Sequence, residues 1–264
     1  PDLLLRNRRA AVLFRLKARV ALRQASIVFT VSEASRRAVG RCFGIDTGSI
    51  AVVGCAPDAV FRPRSDAEVA SARDAVGLDS RDPLFVYAAG INPHKNIETL
   101  VDAFARVRPN GVTPRLVIAG ELRHEPYVSA VAAVRDRVRA QGLGARVLLP
   151  GFISDATLAS LYTDATAAIV PSLAEGFGLP AVEAAACGTP VLLSDLPAHH
   201  ETLGDAALYF ASRDANGLHR LLERMLAEPR LRAPLGLAGR RAVSSLSWDT
   251  GALHLAGLMR AAAA

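Results

Sequence analysis

Short apolar runs alternate with segments of helical periodicity along much of this 264-residue chain. Mostly apolar runs of three to five residues recur at positions 84–88, 115–119, 146–149, 167–170 and 191–193. Continuous apolar strands, each followed by a helix, are typical of a parallel sheet covered by helices on both faces. We therefore predict an α/β fold with a Rossmann-like parallel sheet, in which ligands bind beyond the carboxyl ends of the strands.

The segments around these runs are predicted from helical periodicity and capping residues. After residue 84 the predicted helices cover 96–107 (capped by Asn96), 126–141, 155–163, a short stretch from Pro180, 197–203, 214–227, 231–243 and a last stretch from Trp248. Before residue 84 we predict a helix at 3–24, a strand at 25–31, a helix from the cap Ser32 to 39, a strand at 49–53 and a helix at 66–76.

Basic residues are concentrated at the start of the chain. Residues 1–41 hold ten Lys or Arg and two acidic residues, a net +8, so the remainder carries −2 of the total of +6. The basic, amphipathic helix at 3–24 suits peripheral contact with an anionic membrane surface. We favour the alternative, a solvated helix whose broad apolar stripe packs on a neighbouring domain. Because the remainder of the chain is slightly acidic, we expect no nucleic-acid partner.

The composition is that of a globular protein, with half of the residues apolar and about a fifth charged. No run of eighteen or more apolar residues predicts a membrane span. The three cysteines, Cys42, Cys55 and Cys187, lack C-x-x-C spacing, so neither a zinc site nor a disulfide framework is expected. We expect a cytoplasmic protein. If residues 3–24 contact the membrane, the protein would lie peripherally at its inner face.

Two carboxylates, Glu175 and Glu183, flank a glycine-broken loop behind the fourth apolar run. Gly176 and Gly178 let the backbone approach a ligand without a Cβ clash. Pro180 suits the first turn of a helix, whose free N–H groups form an anion site. A loop that offers amides to phosphate and carboxylates to hydroxyls suits a sugar nucleotide.

This segment resembles the signature of the retaining glycosyltransferases of family 4, whose fold is called GT-B. The matching residues are Glu175, Gly176, Phe177, Gly178, Leu179, Pro180, Glu183, Gly188, Thr189, Pro190 and Val191. The resemblance implies a complete C-terminal, donor-binding domain and a truncated N-terminal, acceptor-binding domain. It assigns 1–62 to the N-terminal remnant, 63–81 to an interdomain linker, 82–247 to the donor-binding domain and 248–264 to a helix that crosses back.

By the same resemblance, Lys95 matches the lysine that contacts the donor diphosphate. It is one of only two lysines in the chain, and a compact ammonium suits a diphosphate. The family often has an arginine five residues earlier, where this chain has Gly90. His94, when protonated, or another arginine would then substitute. Asn92 belongs to the same predicted donor-binding loop.

Glu183 matches the family glutamate that accepts hydrogen bonds from ribose hydroxyls, since one carboxylate can accept from two hydroxyls of a cis-diol. Glu175 matches the glutamate beside the donor sugar, where it would orient hydroxyls or stabilise positive charge developing at the anomeric carbon. Lys95 and Glu175 are therefore the predicted catalytic residues. The backbone amides of Phe177, Gly178 and Leu179 would hold sugar hydroxyls and the distal phosphate.

Three further residues, Gly120, Phe152 and Ile153, end neighbouring strands and are predicted to border the nucleotide, with Phe152 or Ile153 near the base. Core packing is the alternative for Phe152. The histidines lack metal-ligand spacing and no Asp-x-Asp motif is apparent in the donor region, so we expect no metal and no cofactor. We interpret the histidines as loop or surface residues, with an acceptor-side role as the alternative for the adjacent pair: His124, His199, His200, His219 and His254.

The resemblance implies transfer of a hexose from a nucleoside-diphosphate sugar to a glycan or lipid-linked acceptor, with retention of the anomeric configuration. GDP-mannose is the first candidate donor and a UDP-sugar such as UDP-glucose the second. A nucleotide-sugar-binding module without transferase activity is one alternative. A binder of membranes or nucleic acids through residues 1–41 is another.

Overall fold

The computed structural model describes residues 8–78, 82–108, 111–122 and 130–263. The first part of the chain forms a small parallel sheet of two strands, in which Val28 pairs with Ile50. Its elements are α1 (Arg8–Gln24), β1 (Val28–Thr30), α2 (Glu33–Phe43), β2 (Ile50–Val52) and α3 (Asp66–Ala75). Ser32 caps α2 as predicted, because its side chain accepts a hydrogen bond from the amide of Ser35.

The second part contains a six-stranded sheet in which every pair of neighbours is parallel. Its strands are β3 (Leu84–Ala88), β4 (Arg115–Ala119), β5 (Val147–Gly151), β6 (Ala167–Val170), β7 (Val191–Ser194) and β8 (Leu208–Phe210). Their order across the sheet is β5-β4-β3-β6-β7-β8. The chain therefore runs outward from β3 in one direction and returns to continue from β6 in the other. The gap between the ends of β3 and β6 is the topological switch point, where such sheets bind ligands.

Helices cover both faces of this sheet, as predicted. They are α4 (Ile97–Ala105), α5 (Val131–Ala140), α6 (Asp155–Asp164), α7 (Leu179–Ala186), α8 (Pro197–Leu203), α9 (Ala215–Ala227) and α10 (Arg232–Val243). The last helix, α11 (Trp248–Ala263), instead approaches the first part of the chain, where Gly251 lies against the carbonyl of Val53. Side chains alternate along β3, so that Leu84 and Val86 join one apolar core while Phe85 and Tyr87 join the other. The first core includes residues of α3, α6 and α7, and the second includes residues of α4, α5 and α9.

The structure departs from the predictions at several elements. β1 is shorter than the strand predicted at 25–31, and α2 continues to Phe43 rather than ending at residue 39. The strand β8 was not predicted, because it has three residues and is defined by pairing with β7. Asn96 stands at the start of α4 but its side chain does not cap the helix, since its oxygen accepts from the hydroxyl of Thr99 and its nitrogen donates to the carbonyl of Pro171. The described part of the helix predicted at 126–141 begins at Val131. Three predicted segments lie outside the described residues: 126–129 of that helix, 3–7 of the helix predicted at 3–24, and 79–81 of the linker.

The helix α1 leaves its apolar side chains open to solvent. Val12, Leu13, Phe14, Leu16 and Val20 are each about half exposed or more. Among the described residues no helix is long and apolar enough to cross a bilayer. Peripheral membrane contact through this helix stays a prediction, as do the domain boundaries.

Candidate functional site

The loops that follow β3 and β6 are joined at the switch point. The backbone amide of Leu173 donates to the carbonyl of His94 at 2.7 Å. The side-chain amide of Asn96 donates to the carbonyl of Pro171 at 2.9 Å. Asn96 itself has a φ of 55°, the left-handed conformation that asparagine tolerates better than most residues. The two loops therefore hold one another in place across a distance of some eighty residues of chain.

Lys95 and Glu175 form an ion pair between these loops. The ammonium nitrogen of Lys95 lies 2.6 Å from Oε1 of Glu175, and the two side chains are 13% and 10% exposed. The hydroxyl of Ser172 donates to the same carboxylate oxygen at 2.7 Å. The structure thus brings together the two residues predicted to be catalytic. Their pairing and the contribution of Ser172 were not predicted.

The glycine-broken loop enters α7 through Gly178, whose φ of 89° requires a residue without a Cβ. Pro180 lies in the first turn of α7, as predicted, and no side chain caps the helix start. The carbonyl of Gly176 accepts hydrogen bonds from the hydroxyls of Ser32 and Ser35 on the α2 side. The side chain of Phe177 is buried in the first apolar core, so only its backbone remains for a ligand.

A cavity of about 350 Å³ opens beside the ends of β3, β4 and β5. Five predicted donor-binding residues line it: Gly90, Gly120, Phe152, Ile153 and Glu183. Two acidic residues that were not predicted, Glu121 and Asp155, line it as well. In the sequence, Glu121 closely follows the strand predicted at 115–119, and Asp155 begins the helix predicted at 155–163.

Two of the lining residues have clear physical roles in shaping this cavity. A Cβ on Gly120 would lie 2.2 Å from the carbonyl oxygen of Ala89, so no larger residue fits there. Phe152 is 78% exposed, and the alternative that it packs in the core is therefore wrong. An exposed aromatic ring on the wall of a cavity is available for stacking on a planar ligand.

Glu183 is the titratable group of this cavity with the most unusual environment. Burial, followed by the nearby charges of Asp155 and Asp58, raises the pKa of Glu183 from its ordinary value of 4.5 to about 7. Each of these causes disfavours the carboxylate relative to the neutral acid. Glu183 therefore gains or loses its proton close to neutral pH. A ligand rich in hydroxyl groups would compete with water for hydrogen bonds to this side chain.

The remaining predicted residues do not line the 350 Å³ cavity. Glu175 lines a second cavity, of about 190 Å³, that faces α2. Among the described residues, the other predicted donor-binding residues line neither cavity: Asn92, His94, Lys95, Gly176, Phe177, Gly178 and Leu179. The role of each predicted donor-binding residue stays a prediction.

His94 is poorly suited to replace the missing arginine. Burial, and next the positive charge of Lys95, lower the pKa of His94 below its ordinary value. Its imidazole therefore favours the neutral form, and the interpretation that a protonated His94 supplies a cation is not supported.

The interpretation of His199 as a loop or surface residue is wrong. His199 is fully buried in α8, and its Nδ1–H donates to the carbonyl of Ser194 at 2.7 Å. Its Nε2 has no hydrogen-bond partner among the described residues, and a Cβ on Gly178 would meet the ring at 3.1 Å. His200 is exposed and pairs with Asp195, so the two adjacent histidines point in different directions. The signal for His199 is its position four residues before the buried Leu203, on the same helix face. His124 lies outside the described residues.

No group of acidic, histidine or cysteine side chains that could hold a metal ion occurs in the part of the chain that the structure describes. All three cysteines are unpaired.

Comparison with known proteins agrees with the resemblance seen in the sequence. Residues 69–242 match the family model described as Glycosyl transferases group 1. The MMP alpha-(1->4)-mannosyltransferase of Mycolicibacterium hassiacum is 31% identical over 240 residues, which are 89% of this chain and 54% of that relative. The chain spans about half the length of the curated relatives it matches.

Solved structures show the same architecture. The sucrose-phosphate synthase of Thermosynechococcus elongatus matches with a TM-score of 0.80 and 30% identity, over 93% of this chain and 60% of that one. The Anabaena protein HepE, solved in complex with UDP-glucose, matches with a TM-score of 0.81 and 20% identity, over 94% and 67%. The prediction of a GT-B type α/β fold is thereby confirmed.

Proposed function

Because the chain belongs to the glycosyl transferases group 1 family, we propose that it forms the donor-binding part of a retaining hexosyltransferase. The donor is a nucleoside-diphosphate sugar of the mannose or glucose type. The acceptor is a hydroxyl group of a glycan or of a lipid-linked saccharide, which suits the synthesis of a cell-surface polysaccharide in the cytoplasm.

The arrangement of Lys95, Glu175 and Glu183 around the switch point is the observation that supports this proposal best. A cavity of about 350 Å³ lies within the usual size range of small-molecule sites. In the proposal, the nucleoside occupies this cavity, with its ribose hydroxyls on Glu183 and its base near the exposed ring of Phe152. The diphosphate then lies towards the loops that carry Lys95 and Glu175.

Lys95 can serve the diphosphate without leaving Glu175. An ammonium group has three N–H donors, and one of them is sufficient for the 2.6 Å contact with the carboxylate. The others would donate to phosphate oxygens, together with the backbone amides that precede Pro180 at the start of α7, where no side chain caps the helix. These groups would stabilise the leaving diphosphate without a divalent cation.

In the proposed reaction the acceptor oxygen bonds to the anomeric carbon on the face that the diphosphate leaves. The bond from that carbon to the phosphate oxygen breaks, and the acceptor proton passes to the diphosphate. Glu175 would stabilise the positive charge that develops on the sugar. Attack on the same face keeps the anomeric configuration.

The similar proteins suggest two different donor sugars. The relative from Mycolicibacterium hassiacum is a mannosyltransferase, whereas HepE was solved with UDP-glucose. We therefore propose GDP-mannose as the first donor to test and UDP-glucose as the second.

A nucleotide-sugar-binding module without transferase activity of its own is the second candidate. The observation that favours it is the length of the chain, which is about half that of its curated relatives. This candidate predicts donor binding without transfer, and it predicts that transfer appears when the acceptor-binding domain of a relative is supplied.

The deciding experiment is a metal-free thermal-shift panel with UDP, GDP, ADP and their sugar conjugates. A ligand at a hundred times its Kd stabilises the folded protein by about 2.7 kcal/mol. We expect one base to stand out and Glu183→Gln to abolish its shift. The control Glu228→Gln, at the end of α9, removes the same charge from a residue that does not line the cavity and should keep the shift.

Transfer is then followed by NMR of the anomeric proton with the preferred donor and simple glycosides, in the presence of EDTA. A product with the donor's anomeric configuration supports the enzyme, and binding without product supports the module. If none of the nucleotides shifts the melting temperature, the donor site is wrong.

A further inference from the structure

A second cavity, of about 190 Å³, separates α2 from the loops that follow β6 and β7. One wall carries Arg37 and Arg41 from α2, and the facing wall carries Glu175 and Pro197. The volume is small for a whole sugar nucleotide. It is large enough for one compact group next to the residue expected beside the donor sugar.

The two arginines present their charge to this cavity. Arg37 and Arg41 are four residues apart, so they lie on the same face of α2, and both side chains are exposed. Neither forms an ion pair with any residue that the structure describes. Arg36, on another face of the helix, is instead paired with Glu33 at 2.7 Å.

Glu175, the single acidic side chain among the described residues that line the cavity, does not cancel this charge. Glu175 is neutralised by Lys95 at 2.6 Å, so the walls keep a net positive charge from the two arginines. The N-terminal amides of α2 are also occupied, because the amides of Glu33 and Ala34 donate to the carboxylate of Glu201 at 2.7 and 2.8 Å. An anion entering the cavity would therefore meet the guanidinium groups.

We propose that this cavity binds a phosphate group of the acceptor, with Arg37 and Arg41 as its ligands. Guanidinium groups bind phosphate through paired N–H donors, which fixes the orientation of the bound group. The proposal rests on the proposed function in one respect: Glu175 lies beside the donor sugar, so a phosphate held here brings an acceptor hydroxyl close to the anomeric carbon.

The first test is calorimetric titration of inorganic phosphate into the full chain at low ionic strength. It is run with and without the nucleoside diphosphate that binds best, because that nucleotide occupies the other phosphate site. We expect the double variant Arg37→Gln/Arg41→Gln to bind phosphate at least about tenfold more weakly. The control Arg36→Gln, which removes one charge from the same helix outside the cavity, should bind within about twofold of the unmodified chain.

Each result has a defined meaning. Equal phosphate affinity in the double variant and the control overturns the proposal, provided that circular dichroism shows both folded. Loss of phosphate binding in the double variant, with an unchanged thermal shift by the nucleotide, supports it. If no nucleotide binds at all, the donor assignment fails, and the titration without nucleotide still decides the arginine site.

Two probes then distinguish the sources of the phosphate. Hexose phosphates in solution represent a free acceptor, and phosphatidylcholine vesicles containing a polyprenyl phosphate represent a lipid-linked one. The probe that competes with inorganic phosphate identifies the source. This probe should also bind more weakly to Arg37→Gln/Arg41→Gln than to the unmodified chain. Failure of both probes to compete overturns the acceptor role.

Discussion

The ammonium of Lys95 lies 2.6 Å from the carboxylate of Glu175, and this ion pair joins the loops that follow β3 and β6. Both side chains are nearly buried, at 13% and 10% exposure. The pair therefore has a structural consequence besides its proposed role in catalysis, because the loss of one partner leaves the other charge buried and unpaired.

We predict that Lys95→Met destabilises the protein by about 3 kcal/mol, the usual result of removing one partner from a buried pair. The double variant Lys95→Met/Glu175→Gln should regain most of this loss, because neither charge then remains. Urea unfolding of the two single variants and the double variant measures the coupling. Additive losses in the double variant would show that the pair contributes no coupling energy.

The raised pKa of Glu183 predicts a stability that depends on pH. Because the folded-state pKa, about 7, is above the ordinary 4.5, the folded protein binds the proton more tightly than the unfolded chain does. The contribution of Glu183 is thus most favourable below pH 4.5, decreases as the pH rises from 4.5 to 7, and costs about 3 kcal/mol above pH 7.

Glu183→Gln removes this titration. We expect the variant to unfold at a higher temperature than the unmodified chain at pH 8, and the difference to shrink towards pH 5. Differential scanning calorimetry across this range measures both proteins under matched conditions. A difference that is the same at pH 5 and pH 8 would contradict the assignment.

Gly178 should be sensitive to a single methyl group for two separate reasons. Its φ of 89° disfavours alanine by about 1 kcal/mol, and a Cβ would meet the ring of His199 at 3.1 Å. The matched control is Gly77, which has a φ of 74° and no atom within 4 Å of the added Cβ.

We predict a loss of about 1 kcal/mol for Gly77→Ala and about 2 to 3 kcal/mol for Gly178→Ala. Only Gly178→Ala should also weaken nucleotide binding, because it displaces the start of α7. Chemical denaturation and the thermal-shift panel measure the two effects. Equal behaviour of the two variants would mean that His199 does not restrict the loop.

Glu201 connects the two parts of the chain by accepting hydrogen bonds from the amides of Glu33 and Ala34 at the start of α2. We predict that Glu201→Ala destabilises α2 by about 1 kcal/mol, since it removes a carboxylate from a helix N-terminus. Amide hydrogen exchange in α2 should accelerate, while exchange in α9 should not change. Glu201→Gln keeps one acceptor and should have a smaller effect.

All strands of the large sheet except β8 could be predicted, because each contains a mostly apolar run. Leu84–Ala88, Arg115–Ala119 and Ala167–Val170 are the strands predicted. β8 was missed since three residues carry too little periodicity, and its identity depends on pairing with β7. The order of the strands is a tertiary property, so the meeting of the loops after β3 and β6 could not be derived from their positions in the chain.

The site shows the same division between local and tertiary information. Lys95, Glu175 and Glu183 were identified from a motif, which is a local pattern. The ion pair of Lys95 with Glu175 spans 80 positions, and no local pattern records it. His199 was misinterpreted because burial of one histidine in a seven-residue helix depends on what packs against that helix.

The contact between α2 and Glu201 also affects how the protein is made. Glu201 follows Glu33 by 168 positions, so the early segment leaves the ribosome roughly 10 to 30 s before its partner is synthesised, at the usual rates of translation. During that interval the amides at the start of α2 and the hydroxyls of Ser32 and Ser35 lack their contacts with Glu201 and Gly176. In the nascent chain, the contacts at the start of α2 form only after Glu201 has been synthesised. Until then, α2 is exposed to chaperones and proteases.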